Sequence, residues 1–331
     1  MVTVTAPRQM YYSHAIREAL AEELRRDERV LLIGQDIARY GGAFKITEGF
    51  LDEFGPERVI NAPISENGFI GVAVGAALTG MRPVAEIMFM DFITLAMDQL
   101  VNHAAKFRYM YGEQASVPLV VRCPAGAGRG YGPSHSQSLE RWFVATPGIK
   151  VAAPATPADA KGMLKAAIRD DDPVIFVESK LLYGRRGEVP EGDYIVPLGS
   201  ARVARDGTDV ANIAYSRMTV EALRAADALA ASDISAEVLD LRSLAPLDMD
   251  AVAASVEKCG RAVVVEEGPL TGGVGAEIVA RIVERCFDVL EAPVKRVAAM
   301  DIPVPASTVL EQAATPDWED IGRAAAEVVH Y

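Results

Sequence analysis

Glu66 and His135 are the two side chains whose settings invite chemistry. Glu66 stands in Pro63-Ile64-Ser65-Glu66-Asn67-Gly68, directly ahead of a segment, Phe69 to Thr79, that carries Gly71, Ala73, Gly75, Ala76 and Ala77. That segment reads as a helix whose small residues let another backbone come close. An interior glycine costs ~1 kcal/mol against alanine, so close packing has to compensate. A carboxylate at a helix start also meets the positive end of the helix dipole, worth ~0.3–1 kcal/mol. Spacing alone is satisfied by that structural account of Glu66. His135 lies in Gly126-Ala127-Gly128-Arg129-Gly130-Tyr131-Gly132-Pro133-Ser134-His135-Ser136-Gln137-Ser138, after an apolar run of strand length. A glycine-rich loop beyond a strand's carboxyl end is where open α/β sheets bind ligands. The loop has neither the P-loop order nor the dinucleotide fingerprint. Its polar setting suits a working histidine or a solvent-facing one. His14, His103 and His330 lie in or beside helical segments and are assigned no role.

Other segments have plain readings beside functional ones. Thr271-Gly272-Gly273-Val274-Gly275-Ala276-Glu277 could hold an anion on its backbone N–H groups, or could be a tight strand-to-helix turn. Met88-Phe89-Met90-Asp91-Phe92 follows a buried-strand pattern, and a long helix is expected over Ile93–Met110, with Met97, Val101, Ala104 and Phe107 as packing residues. No Gly-x-Ser-x-Gly elbow is present. Cys123, Cys259 and Cys286 are far apart and form no CxxC pair, and no histidine has metal-ligand spacing. A reduced, cytoplasmic setting is expected.

The elements that must position these residues alternate strand and helix, the pattern of parallel sheets with helices on their faces. Strands are expected at Val30–Ile33, Pro83–Ile87, Pro118–Val121, Lys150–Ala153 and Pro173–Val177. A second set falls at Val210–Ala214, Ala236–Leu239, Ala262–Val265 and Val294–Val297. Ser13 is expected to cap a helix with Ile16, Leu20 and Leu24 on one stripe. Further helices are expected from Thr156 through Ile168, over Glu221–Ala231, over Thr271–Phe287 and from Asp317 to the end. Leu182–Ser200, rich in Gly, Pro and Arg and without an apolar period, reads as a linker. The fold class is α/β in two domains, 1–190 and 191–331, each a mostly parallel sheet flanked by helices. At 331 residues, two domains of roughly 150 each is also the length expectation.

Composition narrows the partners. Half the residues are hydrophobic and 24% are charged, so the chain can build large cores. Its net charge of −13 repels phosphate backbones, so nucleic acid is not an expected partner. No apolar run approaches the ~20 residues of a membrane span. Met1 to Gln9 lack the basic-then-apolar order of a signal peptide.

The chain resembles the beta subunits of thiamin-diphosphate-dependent 2-oxo-acid dehydrogenases, the decarboxylating components of the pyruvate, branched-chain 2-oxo-acid and acetoin dehydrogenase complexes. The resemblance runs from about residue 10 to about 328. Its motifs include Gly41-Gly42 with Thr47-Glu48-Gly49, Pro63-Ile64-Ser65-Glu66, Gly80-Met81-Arg82-Pro83, Asp98-Gln99-Leu100-Val101-Asn102 and His135-Ser136-Gln137. Asp159-Ala160-Lys161-Gly162, Asp170-Asp171-Asp172-Pro173, Asp240-Leu241-Arg242-Ser243-Leu244-Ala245-Pro246-Leu247-Asp248 and Gly272-Gly273-Val274-Gly275-Ala276-Glu277 fit too.

The resemblance implies a pyrimidine-binding domain followed by a transketolase-like C-terminal domain. It implies an alpha subunit, in an α2β2 heterotetramer, that holds magnesium and the cofactor's diphosphate. The absence here of Gly-Asp-Gly with its downstream Asn agrees with that division. Glu66 matches the glutamate that hydrogen-bonds N1′ of the aminopyrimidine. Sharing a proton there favours the imino tautomer that activates the thiazolium carbon. Phe92 matches the aromatic residue packed on that ring. His135 matches the histidine that orients substrate or the dihydrolipoyl group. Leu119, Ala167, Ile168, Asp170 and Asp172 match positions where some relatives bind potassium.

One position departs. Members usually carry Gly-Glu-Asp or Gly-Glu-Glu after the first strand, and here the residues are Gly34-Gln35-Asp36. That glutamate belongs to an acidic path between cofactors, and a glutamine cannot release a proton as a carboxylate does. The implied activity is oxidative decarboxylation of a small 2-oxo acid, or acetoin cleavage, with the acyl group passed to a lipoyl acyltransferase core. The alternative is a two-chain transketolase-like carboligase or acyl transferase with no lipoyl acceptor.

Overall fold

In a computed structural model the structure describes residues 8–331. The reading of the N-terminus therefore falls, but for Arg8 and Gln9, outside the described residues. Packing gathers the chain into two compact units. The first holds 8–125 and Trp142–Leu198, and the second holds Gly126–Arg141 and Gly199–Tyr331. The His135 loop thus packs with the second unit, and the first continues to Leu198, past the expected cut at 190.

In the first unit the strands are β1 (Arg8–Tyr11), β2 (Val30–Gln35), β3 (Val59–Ala62), β4 (Arg82–Glu86), β5 (Val120–Ala125), β6 (Lys150–Ala152), β7 (Val174–Ser179) and β8 (Arg186–Val189). Its parallel sheet runs β6-β7-β5-β4-β2-β3. Every residue of β2, β4, β5 and β7 is buried, as expected for strands covered by helices on both faces. The supposed linker is not all linker: β8 lies within it and pairs antiparallel with β1, Arg8 opposite Val189.

The helices here are α1 (Tyr12–Arg26), α2 (Phe50–Phe54), α3 (Glu66–Leu78), α4 (Ala105–Met110), α5 (Glu140–Val144), where the chain returns to this unit, and α6 (Pro157–Arg169). Ile16, Leu20 and Leu24 are buried in α1 as their spacing demands. Ser13 does not cap it. Tyr11 holds the N-cap position, and Ser13 Oγ donates to the Tyr183 carbonyl at 3.0 Å. α6 packs on α1, and their contact includes Lys161, fully buried, which donates to Glu18 at 2.6 Å and to Glu22 at 2.7 Å. Thr156 does cap α6, accepting from the Asp159 N–H at 3.1 Å.

The segment after β4 departs from expectation. Met88–Phe92 is not a strand, and 93–110 is not one helix. A 3₁₀ stretch covers Met90–Ala96, a π stretch Asp98–Ala104, and only α4 is α-helical. Apolar residues at threefold and fourfold spacing mark a buried face equally for all three helix types, so the pattern does not separate them.

The second unit holds β9 (Arg202–Arg205), β10 (Val210–Ala214), β11 (Ala236–Asp240), β12 (Ser243–Ala245), β13 (Ala262–Pro269) and β14 (Lys295–Ala299). Its helices are α7 (Arg217–Ala230), α8 (Met249–Cys259), α9 (Val274–Cys286), α10 (Thr308–Ala314) and α11 (Trp318–Val329). A five-stranded sheet runs β14-β13-β10-β11-β9, with only β9 antiparallel. Val210, Val238, Val263 and Val265 of the sheet meet Met218, Ala222, Ile321 and Ala325 of the helices in one core. The closing helix is opened by Asp317, whose carboxylate accepts from Glu319 and Asp320 in a capping box. No helix among the described residues is long and apolar enough to cross a membrane.

Close approach in the first unit shows at Gly148. Its φ is +96°, and a Cβ there would lie 2.0 Å from the Ala105 carbonyl oxygen. Gly148→Ala is therefore expected to lower stability by about 1–3 kcal/mol, the range for overpacking. Denaturant unfolding, read as the shift in midpoint, checks this.

Candidate functional site

Parallel pairing builds the site in the first unit. β2 and β3 pair with Gln35 opposite Ala62. From Ala62 the chain turns through Pro63-Ile64-Ser65 into α3, whose first residue is Glu66. The two side chains meet: Gln35 Nε2 donates to Glu66 Oε1 at 2.9 Å. Both are buried, Gln35 5% and Glu66 4% exposed. No described residue donates a hydrogen bond to Glu66 Oε2. At the preceding Gly34 the backbones of β2 and β4 come so close that a Cβ there would lie 2.7 Å from the Glu86 carbonyl oxygen.

Phe92 is half-buried in the 3₁₀ stretch. Its ring meets Phe89 edge to face, centroids 6.2 Å apart. Phe89 meets Phe44 at 5.8 Å, and Phe44 meets Tyr183 at 4.9 Å. Edge-to-face geometry fixes such rings relative to one another. The Lys180 ammonium stands 5.2 Å from the centre of the Phe89 ring.

Beneath that row lies an ion cluster that sequence reasoning missed. Arg122, 1% exposed, donates to Glu86 at 2.6 Å and to both carboxylate oxygens of Glu178 at 2.7 and 2.9 Å. Tyr183 donates its hydroxyl to Glu178 at 2.7 Å. Burial pushes the Glu86 carboxyl up, against the pull of Arg122. The signal was available: a lone Arg in an otherwise apolar strand needs partners from adjacent strands. β4 and β7 both carry a glutamate, and Glu86 is Arg122's register partner.

The five residues matched to potassium lie together, but their oxygens are already engaged. Arg82 donates to the carbonyls of Ile168 at 2.8 Å and Asp170 at 2.7 Å. The Leu119 carbonyl accepts from Val174 at 2.8 Å and that of Ala167 from Asp170 at 3.2 Å. Lys150 holds the Asp170 carboxylate at 2.7 Å, and Arg108 holds that of Asp172 at 2.5 Å. A carbonyl oxygen has a second lone pair, so these can accept once more. Among the described residues no cluster of three or more His, Cys, Asp or Glu could hold a metal ion.

His135 belongs to the second unit, half-buried, with Nδ1 3.0 Å from the Ser134 hydroxyl. Its loop is anchored by Glu311 of α10, which accepts from the Gly128 and Gly130 N–H groups, each at 2.8 Å. Glu267 accepts from the Ala127 N–H at 2.7 Å and from Arg217 at 3.2 Å. The far end of the loop lines a cavity of about 520 Å³ with Ser136, Arg141, Glu267, Thr271 and Asp301. The Gly272-Gly273 turn encloses no free anion site: the Gly275 N–H donates to the Glu266 carboxylate at 3.1 Å.

Beside this cavity is a second group missed from sequence. Glu140 is 3% exposed and accepts from the Tyr215 hydroxyl at 2.8 Å. Its Oε2 is buried without a partner among the described residues. Burial lifts the Glu140 carboxyl to about 7, aided by the nearby charges of Glu267 and Glu266 and opposed by hydrogen bonds.

These domains match two family models end to end. Residues 8–186 match the transketolase pyrimidine binding domain, and 199–321 the transketolase C-terminal domain. A solved structure named as a split gene transketolase, inactive beta4 tetramer, superposes with a TM-score of 0.80, covering 97% of this chain and 98% of its own. At 24% identity that likeness speaks for the fold. The class is thus a transketolase-type, thiamin-diphosphate-linked chain.

Within it, the relatives are specific. One, named pyruvate dehydrogenase E1 component subunit beta-2, mitochondrial, from Oryza sativa subsp. japonica, is 47% identical over 97% of this chain and 86% of its own. Another, named pyruvate dehydrogenase E1 component subunit beta, from Rickettsia felis (strain ATCC VR-1525 / URRWXCal2), is 43% identical over 98% and 99%. The chain belongs to the family of pyruvate dehydrogenase E1 beta subunits. The cytoplasmic expectation does not stand. Relatives from rice and from Dictyostelium discoideum are named mitochondrial, and three reduced-looking cysteines carry no information against that.

Glu140 sets a pH dependence. An unfolded glutamate titrates near 4.5 and this one near 7 when folded, so between those values the native state binds the extra proton. Stability contributed by the second unit should then fall as pH rises from about 4.5 through 7, by on the order of 3 kcal/mol in total. Denaturant unfolding at pH 5.5 and 8 should show the loss, and Glu140→Gln should flatten it.

Proposed function

We propose that this chain is the beta subunit of the decarboxylating component of a 2-oxo-acid dehydrogenase, that it works with an alpha subunit, and that pyruvate is its first substrate to test. The observation that carries the reading is Glu66: a buried carboxylate at a helix start, one oxygen held by Gln35 and the other open, in a chain whose relatives are named as E1 beta subunits. Those names favour the dehydrogenase over a carboligase without a lipoyl acceptor.

The residues fit the pyrimidine half of thiamin diphosphate. Glu66 Oε2 can take a hydrogen from a ring nitrogen, and Phe92, braced by Phe89 and Phe44, offers an aromatic edge or face to the ring. When bound, the cofactor supplies the carbanion chemistry that releases carbon dioxide from a 2-oxo acid. Glu66 would share a proton with that ring nitrogen and so favour one tautomer of the ring. His135 is proposed to orient the substrate or the acyl acceptor. Magnesium and the diphosphate fall to the alpha subunit. Potassium, if taken, would use the remaining lone pairs on the carbonyls of Leu119, Ala167, Ile168 and Asp170, beside Asp172.

The alpha subunit itself is supported by α3. Its residues are apolar on every side, a pattern for a helix covered all round. Yet Val72 is 61% exposed, Gly75 is open, and Ile64 just ahead is 89% exposed. A close-packed neighbouring subunit would cover that face. The α2β2 stoichiometry, a lipoyl acyltransferase core and acetoin as a substrate belong to the same proposal.

Co-expression with the alpha subunit and dye reduction driven by pyruvate, 2-oxobutyrate, 3-methyl-2-oxobutanoate or acetoin is the test. Cofactor-dependent turnover is the expected result. Glu66→Ala should assemble and lose activity by a factor of at least about 100, the scale of a proton-transfer contribution. Activity of that variant within a few-fold of the parent would remove Glu66 from the site.

A further inference from the structure

α10 is built against the usual pattern. Its buried residues are Glu311 and Ala314, while Val309 and Leu310 are exposed. A surface helix ordinarily turns its apolar residues inward and its acids outward. Burying a glutamate costs free energy unless its oxygens find hydrogen bonds. Here one loop satisfies both. Glu311 Oε1 accepts from the Gly128 N–H and Oε2 from the Gly130 N–H, each at 2.8 Å. The helix fixes where those oxygens stand: the Glu311 N–H donates to the Ser307 carbonyl at 2.8 Å, and the Glu311 carbonyl accepts from Thr315 at 3.1 Å.

The loop needs such a hold. Glycine loses more conformational freedom on folding than any other residue, so a glycine-rich stretch does not keep one shape unaided. Gly130, at φ +67°, lies tight on the segment before α10, where a Cβ would come within 3.2 Å of the Ala306 carbonyl oxygen. The loop's two ends meet where the Gly126 N–H donates to the Gln137 carbonyl at 3.3 Å, next to the bond from the Ala127 N–H to Glu267. Between that junction and Gly130, the His135 N–H closes a turn onto the Gly132 carbonyl at 3.3 Å. The turn that carries His135 is thus held at both ends, by Glu311 on one side and by the junction at Gln137 on the other. All of these residues belong to the second unit.

We propose that Glu311 is a positioning residue for the reaction, one that fixes the glycine-rich loop through the Gly128 and Gly130 N–H groups and so sets the place of His135. This rests on the reading of His135 given above. Glu311 touches neither substrate nor cofactor and acts only through the loop. Its work is to remove the freedom that four alternating glycines, Gly126, Gly128, Gly130 and Gly132, would otherwise leave to the backbone ahead of the histidine.

The test uses the complex with the alpha subunit, with turnover followed both by dye reduction and with free lipoamide as acyl acceptor. In whichever assay His135→Ala impairs, Glu311→Ala should lower kcat/KM by roughly tenfold to a hundredfold, the scale of a misplacement of about 1 Å at a reacting group. Kd for thiamin diphosphate should stay at the parental value. Adding Glu311→Ala to His135→Ala should cost nothing further, because an anchor that acts through His135 then has nothing left to place. Hydrogen exchange should quicken over residues 126–135 and remain parental in β13.

Parental turnover of Glu311→Ala, or losses that multiply in the double variant, would overturn the proposal. If Glu311→Ala fails to assemble, Glu311→Gln decides it. That variant keeps one acceptor oxygen and sets an amide donor against the other N–H, so a severalfold loss is expected and parental turnover would again overturn it. A fully active His135→Ala complex would instead bring down the reading of His135, which distinguishes that failure from this one.

Discussion

The parallel pairing of β2 with a strand on each edge is the constraint on which the first unit depends. Leu32 to Gln35 face Val59 to Ala62 on one side, and Val30 to Gly34 face Arg82 to Glu86 on the other. Parallel ladders permit no half-steps: a one-residue slip would turn every buried side chain to the other face. The register therefore fixes more than a core. It decides that the strand ends at Gln35, that β3 ends opposite it, and that the next helix begins with Glu66 beside it. Ligand sites at the carboxyl ends of parallel strands follow from the same geometry, since the loops gather there and backbone amides at helix starts point outward.

The buried charges serve this frame at two depths. Arg122 binds carboxylates from the strands on both sides of it, Glu86 on β4 and Glu178 on β7. Buried pairs of this kind add little net stability compared with apolar packing, but loss of one partner leaves an uncompensated charge. Their effect is directional. Glu178 also takes the Tyr183 hydroxyl, and Tyr183 begins the aromatic row that ends at Phe92. The placement of a surface-facing ring is thereby referred back to the centre of the sheet. Arg82 and Lys150 perform the same office at the other end of the sheet, holding the turn at Asp170.

How much of this was legible in the sequence depends on which interactions are local. The strands expected at apolar runs lie within two residues of the observed ones at most ends, with Val210–Ala214 matched at both, because buried parallel strands are near-continuous apolar runs, whereas the short β1, β3, β8, β9 and β12 were not expected. The caps at Thr156 and Asp317 are local chemistry and read directly. Ser13 misled because a capping residue is recognised by type, while Tyr12 enters the helix on a backbone bond to the Arg185 carbonyl, far along the chain. β8 was hidden in a polar stretch because its pairing with β1 is made on an edge, where no apolar alternation is required. Arg122 with Glu86 and Glu178, and Glu140 with Tyr215, join residues 36 to 75 positions apart, and no periodicity records such pairs.

Of the candidate site, Glu66, Phe92 and His135 were singled out by family resemblance, and Gln35 by departure from it. Residue type alone would have made Gln35 a neutral replacement. Its contact makes it more than that, because the hydrogen bond from its Nε2 holds Glu66 Oε1 in place at the start of α3. A carboxylate pair at this position would couple two titrations and let the proton's place depend on the surroundings. An amide carries no titration of its own, and with Gln35 at the end of β2 and Glu66 at the start of α3, both ends of the hydrogen bond sit on elements whose places are set by the register of the sheet.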